Sequence, residues 1–372
     1  VKQRHVVSLL IALGTGLAFA AEVVPQQGKP QFDPWGFDLR GRDQAVKPGD
    51  DFFRYANGTW LDNAVIAPDK TGVSVRLKMT EVVEERLHRL LDAAAANSAH
   101  QPKDLASKAG AFYRSFLDVT RVEQSGAKPL ATAIKAVQTA STRDALAALT
   151  GRSNVDFSSS LFNVFIEVDL KDPNRYAVYL GQSGLGLPDR DYYLQDSFAK
   201  TKDQYQDYAG KMLKLLNWPN PDESARALVD FETEIAKVSW TKTQQRDLNA
   251  VYNPMSVADL EKFAPGFAWR AYLQNANLGS AKQVVISEKS AFPQIASIYQ
   301  RTSLDTLRAW QAFHVVDNAA PYLPAVFVTA HFELHSKALA GQKELPVRWK
   351  RAITAVGGGD FASGGGFGVF GT

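Results

Sequence analysis

Apolar residues recur at the three-and-four spacing of a helix along almost the whole chain, and the pattern gives way to strict alternation at one stretch. From Val75 the apolar positions continue through Met79, Val82, Val83, Leu87, Leu90 and Leu91, which keeps one face of a long helix apolar. Leu105, Ala109, Phe112, Tyr113 and Phe116 mark a second helix, and Leu130, Ile134 and Val137 a third. Ser141 with Asp144 three residues on reads as the cap of a fourth, short one. Helical spacing resumes at Tyr205, Tyr208, Met212 and Leu215, and again at Leu228, Phe231, Ile235 and Val238. Further helices are expected after Ser256 with its Asp259, around Leu304, Leu307 and Trp310, and around Phe327, Ala330, Leu334 and Ala338. The last is expected to start at Pro346, to carry Trp349, Ile353 and Val356 on one side, and to stop at Gly357.

The exception lies at Phe162, Val164, Ile166, Val168 and Leu170, whose period of two belongs to a half-buried strand. Tyr176 to Leu180 can return antiparallel, with Lys171, Asp172, Pro173, Asn174 and Arg175 supplying the turn. The fold class expected is therefore mainly α: a multi-helix domain with one small antiparallel β-hairpin.

Composition narrows the chemistry. With 372 residues, 45% of them hydrophobic, the chain has material for a large core, so it needs no covalent staples. It has no Cys, which excludes disulfides, thiolate metal sites and Cys nucleophiles and leaves His, Asp and Glu as metal ligands. Lys and Arg number 42 against 39 Asp and Glu, too even a balance for a nucleic-acid partner.

Residues 1–20 read as a signal peptide: Lys2 and Arg4 lead an apolar run from Val6 to Leu17, and Ala18, Phe19 and Ala20 form a small-x-small cleavage site. Cleavage is expected after Ala20, giving a periplasmic or extracellular product whose formal charge falls from +3 to +1. The run is shorter than the roughly 20 residues a span needs, and no later segment could cross a bilayer. Residues 21–46, rich in Pro, Gly and Gln, are expected to be extended. The helical domain is placed at 47–356, followed by a Gly-rich disordered tail over 357–372.

His331 and His335 lie four apart on an expected helix with Glu333 between them, a pattern close to the HExxH of zinc peptidases. There the acid follows the first His directly and shares its face. Here Glu333 sits two residues on, about 200° around the axis, and suits an i, i+4 pair with Lys337. With no third ligand visible, a solvated helix face is the reading of 331–335. Gly181 to Leu185 nearly spells the GxSxG elbow of serine hydrolases but fails at Leu185, and Pro188 and Asp189 follow where a helix should start. Asp50 with Asp51, and Asp189 with Asp191, read as turn and cap residues.

Several stretches resemble one family. Pro48, Gly49, Asp50, Asp51, Phe52, Phe53, Arg54, Tyr55, Ala56, Asn57, Gly58, Thr59, Trp60 and Leu61 are similar to the opening signature of the neprilysin family of zinc metallopeptidases, which includes endothelin-converting enzymes and bacterial oligopeptidases. Leu185, Gly186, Leu187, Pro188, Asp189, Arg190, Asp191, Tyr192 and Tyr193 resemble its mid-domain motif. Arg246, Asp247, Tyr252 and Asn253, with Pro265, Phe267 and Trp269, resemble the next segment, and Pro346, Arg348, Trp349, Lys350 and Arg351 the run before the catalytic half.

The resemblance implies a two-part, mostly helical zinc metalloendopeptidase. Its first part encloses peptide substrates, and its second carries HExxH and a downstream Glu that hold zinc. The expectation is that this chain is the first part and ends before the catalytic residues, so that no catalytic, cofactor-binding or metal residue is assigned and no zinc is bound by its own residues. Alone it is expected to be inactive. Gly72 falls about where the animal enzymes have a substrate-contacting arginine, and Asn57 where they usually have Cys. A free-standing, non-catalytic peptide-binding or interaction module is the competing expectation.

Overall fold

The computed structural model describes residues 38–97 and 104–357. The segment expected to be a signal peptide, most of the one expected to be extended and the residues after Gly357 lie outside the described residues. The chain forms two compact units, the first ending at Val65 and the second beginning at Ile66.

The described part of the first unit is a 3-10 turn, Leu39–Gly41, and helix α1, Phe52–Asn63. Asp51 caps α1 by accepting a hydrogen bond from the Arg54 backbone N at 2.8 Å. The Arg54 guanidinium then reaches Asp62 at 2.7 Å, tying the first turn to the last. Residues 42 and 43 lie against the helix, with Asp43 N donating to Tyr55 O and Thr59 Oγ1 to Arg42 O. Gly58 makes this approach possible, because a Cβ there would stand 2.6 Å from that of Asp43.

In the second unit the chain continues as α2 (Val75–Asn97), α3 (Leu105–Leu117), α4 (Val119–Ser125), α5 (Ala131–Thr139) and α6 (Arg143–Thr150). The hairpin follows as β1 (Phe162–Asp169) and β2 (Asp172–Gln182). After it come α7 (Asp191–Leu194), α8 (Ala199–Leu215), α9 (Pro221–Val238), β3 (Asn253–Ser256), α10 (Val257–Phe263), α11 (Trp269–Asn275) and β4 (Gln283–Ile286). The last helices are α12 (Ala291–Arg301), α13 (Leu304–Ala319), α14 (Ala325–His331) and α15 (Arg348–Val356). Among the described residues no helix is long and apolar enough to cross a membrane.

The mainly helical expectation holds, and the single hairpin proves to be half of a four-stranded sheet in the order β1-β2-β4-β3. β1 and β2 pair antiparallel, β2 and β4 parallel at Tyr179–Val285 and Leu180–Ile286, and β3 and β4 antiparallel. The hairpin turn is tighter than expected. Asp169 pairs with Asp172, and residues 173–175 fall in the irregularity between that pair and Val168–Tyr176. Asp169 organises the corner by accepting from Lys171 N at 2.9 Å, Arg175 Nη2 at 2.8 Å and the Tyr252 hydroxyl at 2.8 Å. β1 is buried at its start, at Phe162 and Val164, and at its last residue, Asp169, while Ile166 and Val168 between them are exposed.

Two helix starts differ from the sequence expectation. Thr142, one residue after Ser141, caps α6 by accepting from Ala145 N at 3.1 Å. α15 begins at Arg348, two residues after Pro346.

The main core is built around α13, which is buried on nearly every side and carries Gln311, His314 and Asp317 inside with its apolar residues. Phe162, Phe267, Trp269 and Phe292 form an aromatic nest with ring centroids 4.5 to 5.8 Å apart. A second cluster joins α2, α3 and α15 through Leu91, Tyr113, Phe116 and Ile353. His88 stacks on Trp349 there at 4.1 Å. Of the apolar stripe on α2, only Leu91 is fully buried; Met79 and Leu90 are each 66% exposed, and Val75, Val82 and Val83 are exposed as well.

Candidate metal centre

A buried carboxylate surrounded by donors lies at the centre of the main core. Glu232 of α9 is 0% exposed. Its Oε2 accepts from the Tyr193 hydroxyl at 2.6 Å and, at longer range, from Gly186 N at 3.3 Å. Its Oε1 accepts from the Tyr205 hydroxyl at 3.1 Å and Trp310 Nε1 at 2.9 Å, with His314 Nε2 at 2.8 Å. Burial, reinforced by the Glu232 charge, pushes the Tyr193 and Tyr205 hydroxyls well up, so both stay protonated donors. Gly186 and Tyr193 belong to the 185–193 stretch, and a Cβ on Gly186 would overlap the Tyr205 hydroxyl. This network is saturated, and its chemistry is structural.

A second carboxylate sits differently. Asp317, near the end of α13, is 7% exposed. Its Oδ1 accepts from the Tyr208 hydroxyl of α8 at 2.5 Å and pairs with His335 Nε2 at 2.9 Å. His331 stands beside His335 with ring centroids 4.3 Å apart. One donor atom from each of Asp317, His331 and His335 lies within 4.8 Å of the other two. Among the described residues this is the one group of three or more His, Asp or Glu so arranged.

The i, i+4 spacing of His331 and His335 puts both imidazoles on one helical face. α14 runs directly into a π-helical turn, Phe332–Ala338, in which Leu339 N donates to Leu334 O five residues back at 2.9 Å. Such wide turns recur at functional sites. Glu333 projects outward and pairs with Lys337 at 2.9 Å, as its spacing predicts. The expectation of a solvated face is corrected for the histidines, which are half-buried against α13 and α8.

The electrostatics follow from that burial. Desolvation opposes the charge on Asp317, but the adjacent His335, with its hydrogen bond and that of Tyr208, holds the carboxyl below the usual range. Desolvation likewise works against a charged His335, and the Asp317 charge outweighs it, raising the imidazole. His331 is lowered to about 4 by burial and by His335 beside it, so its ring is neutral near pH 7. Burial and then the Asp317 charge push the Tyr208 hydroxyl up. The result is two imidazoles and a carboxylate converging on one point, a donor set suited to a borderline divalent metal.

The sequence singled out both histidines and missed Asp317. The signal was there: an acid inside the apolar run of α13 must find a partner, because an unpaired buried carboxylate is costly.

The remaining sequence candidates do not converge. Asp51 caps α1, and Asp189 accepts from Asp191 N at 2.8 Å and from Lys242 Nζ at 2.8 Å. Ser183 follows β2, but the chain leads from it into a loop and the four-residue α7, not into a helix that could carry an elbow. That loop lines a cleft of about 460 Å³. The Arg190 guanidinium there donates to the carbonyls of Ala236 and Lys237 at the end of α9.

Comparison with known proteins gives a consistent picture. A family model described as peptidase family M13 matches residues 48–363. Endothelin-converting enzyme 1 of Cavia porcellus is 25% identical over 335 residues, covering 85% of this chain and 43% of that protein. The Homo sapiens enzyme of the same name is 26% identical over 335 residues, covering 85% and 42%. The Mycobacterium tuberculosis zinc metalloprotease ZMP1, solved in complex with an inhibitor, superposes with a TM-score of 0.82 at 27% identity, covering 87% of this chain and 50% of that one. The chain thus spans half or less of the length of these relatives.

Proposed function

The chain belongs to peptidase family M13, and from that premise we propose that it is the N-terminal, substrate-enclosing part of a secreted zinc metalloendopeptidase, with the catalytic zinc ligands outside these 372 residues. The observation that carries this reading is the coverage: the match runs through 85% of the chain yet reaches only 43% of endothelin-converting enzyme 1. The exposed stripe of Val75, Met79, Val82, Val83 and Leu90 on α2 supports it, since an apolar face of that length is usually an interface. Export rests on the basic start, apolar run and small-x-small end of residues 1–20.

The placement of Glu333 supports this reading: the acid between the two histidines is exposed and held by Lys337, not turned toward Asp317 as a general base for a metal-bound water would be. In this reading the chain contributes walls and access control, and peptides are cut by groups it does not supply.

The test is incubation of the purified chain with Zn2+ and a mixture of short peptides. No chelator-sensitive cleavage is expected. Cleavage that vanishes with a chelator would overturn the assignment of catalysis to other residues. Sequencing the adjoining genomic DNA provides a second check, with an HExxH reading frame expected downstream.

The self-contained core around α13 and the saturated Glu232 network favour a second reading, a free-standing peptide-binding module. That reading predicts a monodisperse monomer by light scattering, whereas the first predicts self-association through α2.

A further inference from the structure

We propose that Asp317, His331 and His335 form a binding site for one divalent transition-metal ion of the Zn2+ type, joining α13 to the π-helical turn that follows α14. The inference does not rest on the proposed function and concerns binding, not hydrolysis.

Three observations point to it. The donors converge from separate elements, Asp317 from α13 and the two histidines from positions four apart on one face of the segment that runs from α14 into the π-helical turn. His331 has no hydrogen-bond partner among the described residues, so a half-buried imidazole faces Asp317 and His335 with an unused ring nitrogen. Both hydrogen bonds to Asp317 fall on Oδ1, and the second carboxylate oxygen accepts none among the described residues.

A tetrahedral ion holds N and O donors at about 2.0–2.2 Å, which spaces them about 3.3–3.6 Å apart. The donors lie within 4.8 Å of one another, so side-chain rotation closes the difference. Tyr208, donating to Asp317, fixes the orientation of that ligand, the role outer-shell hydrogen bonds play at metal sites. Without Cys, the donor set favours Zn2+ or Co2+ over copper(I).

The experiment uses the full chain, stripped with a chelator and dialysed, and titrated with Zn2+ alone in a calorimeter, with Co2+ as a spectroscopic probe. One equivalent should bind, and Co2+ should give the intense visible bands of a four-coordinate ion. Removing outer-shell partners costs about 10–100-fold in metal affinity, so His331→Ala, which breaks no hydrogen bond, should weaken binding by about 100-fold or more. His335→Ala should do the same, and Tyr208→Phe should cost about tenfold. Glu333→Gln should bind as the parent does, and Zn2+ should raise the Tm of the parent but not of His331→Ala. Circular dichroism of the metal-free proteins verifies that each variant is folded. No saturable binding by the parent, or equal affinity in parent and His331→Ala, would overturn the site.

Discussion

Glu232 and Asp317 are both carboxylates buried in one core, each held by a tyrosine from α8 and a histidine, yet they differ in how fully they are satisfied. Glu232 takes five donors spread over both oxygens, from α7, α8, α9's neighbour α13 and the loop before α7. Asp317 takes two, both on one oxygen, and has an unbonded imidazole beside it. A saturated acid fixes the packing around it and has nothing left to offer a ligand. An acid with spare capacity next to unused nitrogen donors can accept one. The same residue types thus serve two ends, and the count of donors separates them.

The sharpest way to break this contrast is to remove the saturated acid. Glu232→Ala leaves two tyrosines, a tryptophan and a histidine without their acceptor, and should lower unfolding free energy by about 3–5 kcal/mol, read from urea denaturation. A loss below 1 kcal/mol would mean that the network contributes packing alone. Next in size is a matched tyrosine pair. Tyr208→Phe, in metal-free protein, removes one of only two donors to Asp317 and should cost about 2 kcal/mol, while Tyr205→Phe should cost about 1 kcal/mol because Trp310 and His314 remain on the same oxygen. Equal losses would erase the distinction between the two acids. The smallest effect belongs to Glu333→Ala, where an exposed i, i+4 pair is lost and stability should fall by only about 0.3–0.5 kcal/mol.

How far the sequence reveals such features depends on their range. Periodicity located α2, but it could not say which part of the stripe is covered: Leu91 packs against α3 and α15, whereas Met79 and Leu90 face outward. The hairpin was legible because its alternation is long. β3 and β4 were not, since four residues carry too little period and their pairing is set by partners across the fold. The histidine pair and the outward turn of Glu333 came from spacing alone. Asp317 did not, because its convergence with His335 depends on how α13 packs beside α14, 18 residues away in sequence.

The four-residue spacing of His331 and His335 has a consequence for how this region tolerates change. Residues four apart are neighbours on an ordinary α-helix as well, so the two imidazoles keep one face whichever winding residues 332–338 adopt. Insertion or deletion of one residue between the two histidines would instead change their spacing to five or three and turn one imidazole by about 100° away from its neighbour. The spacing between the histidines is a necessary mark of the cluster, and the carboxylate that α13 sets beside them is what makes it sufficient.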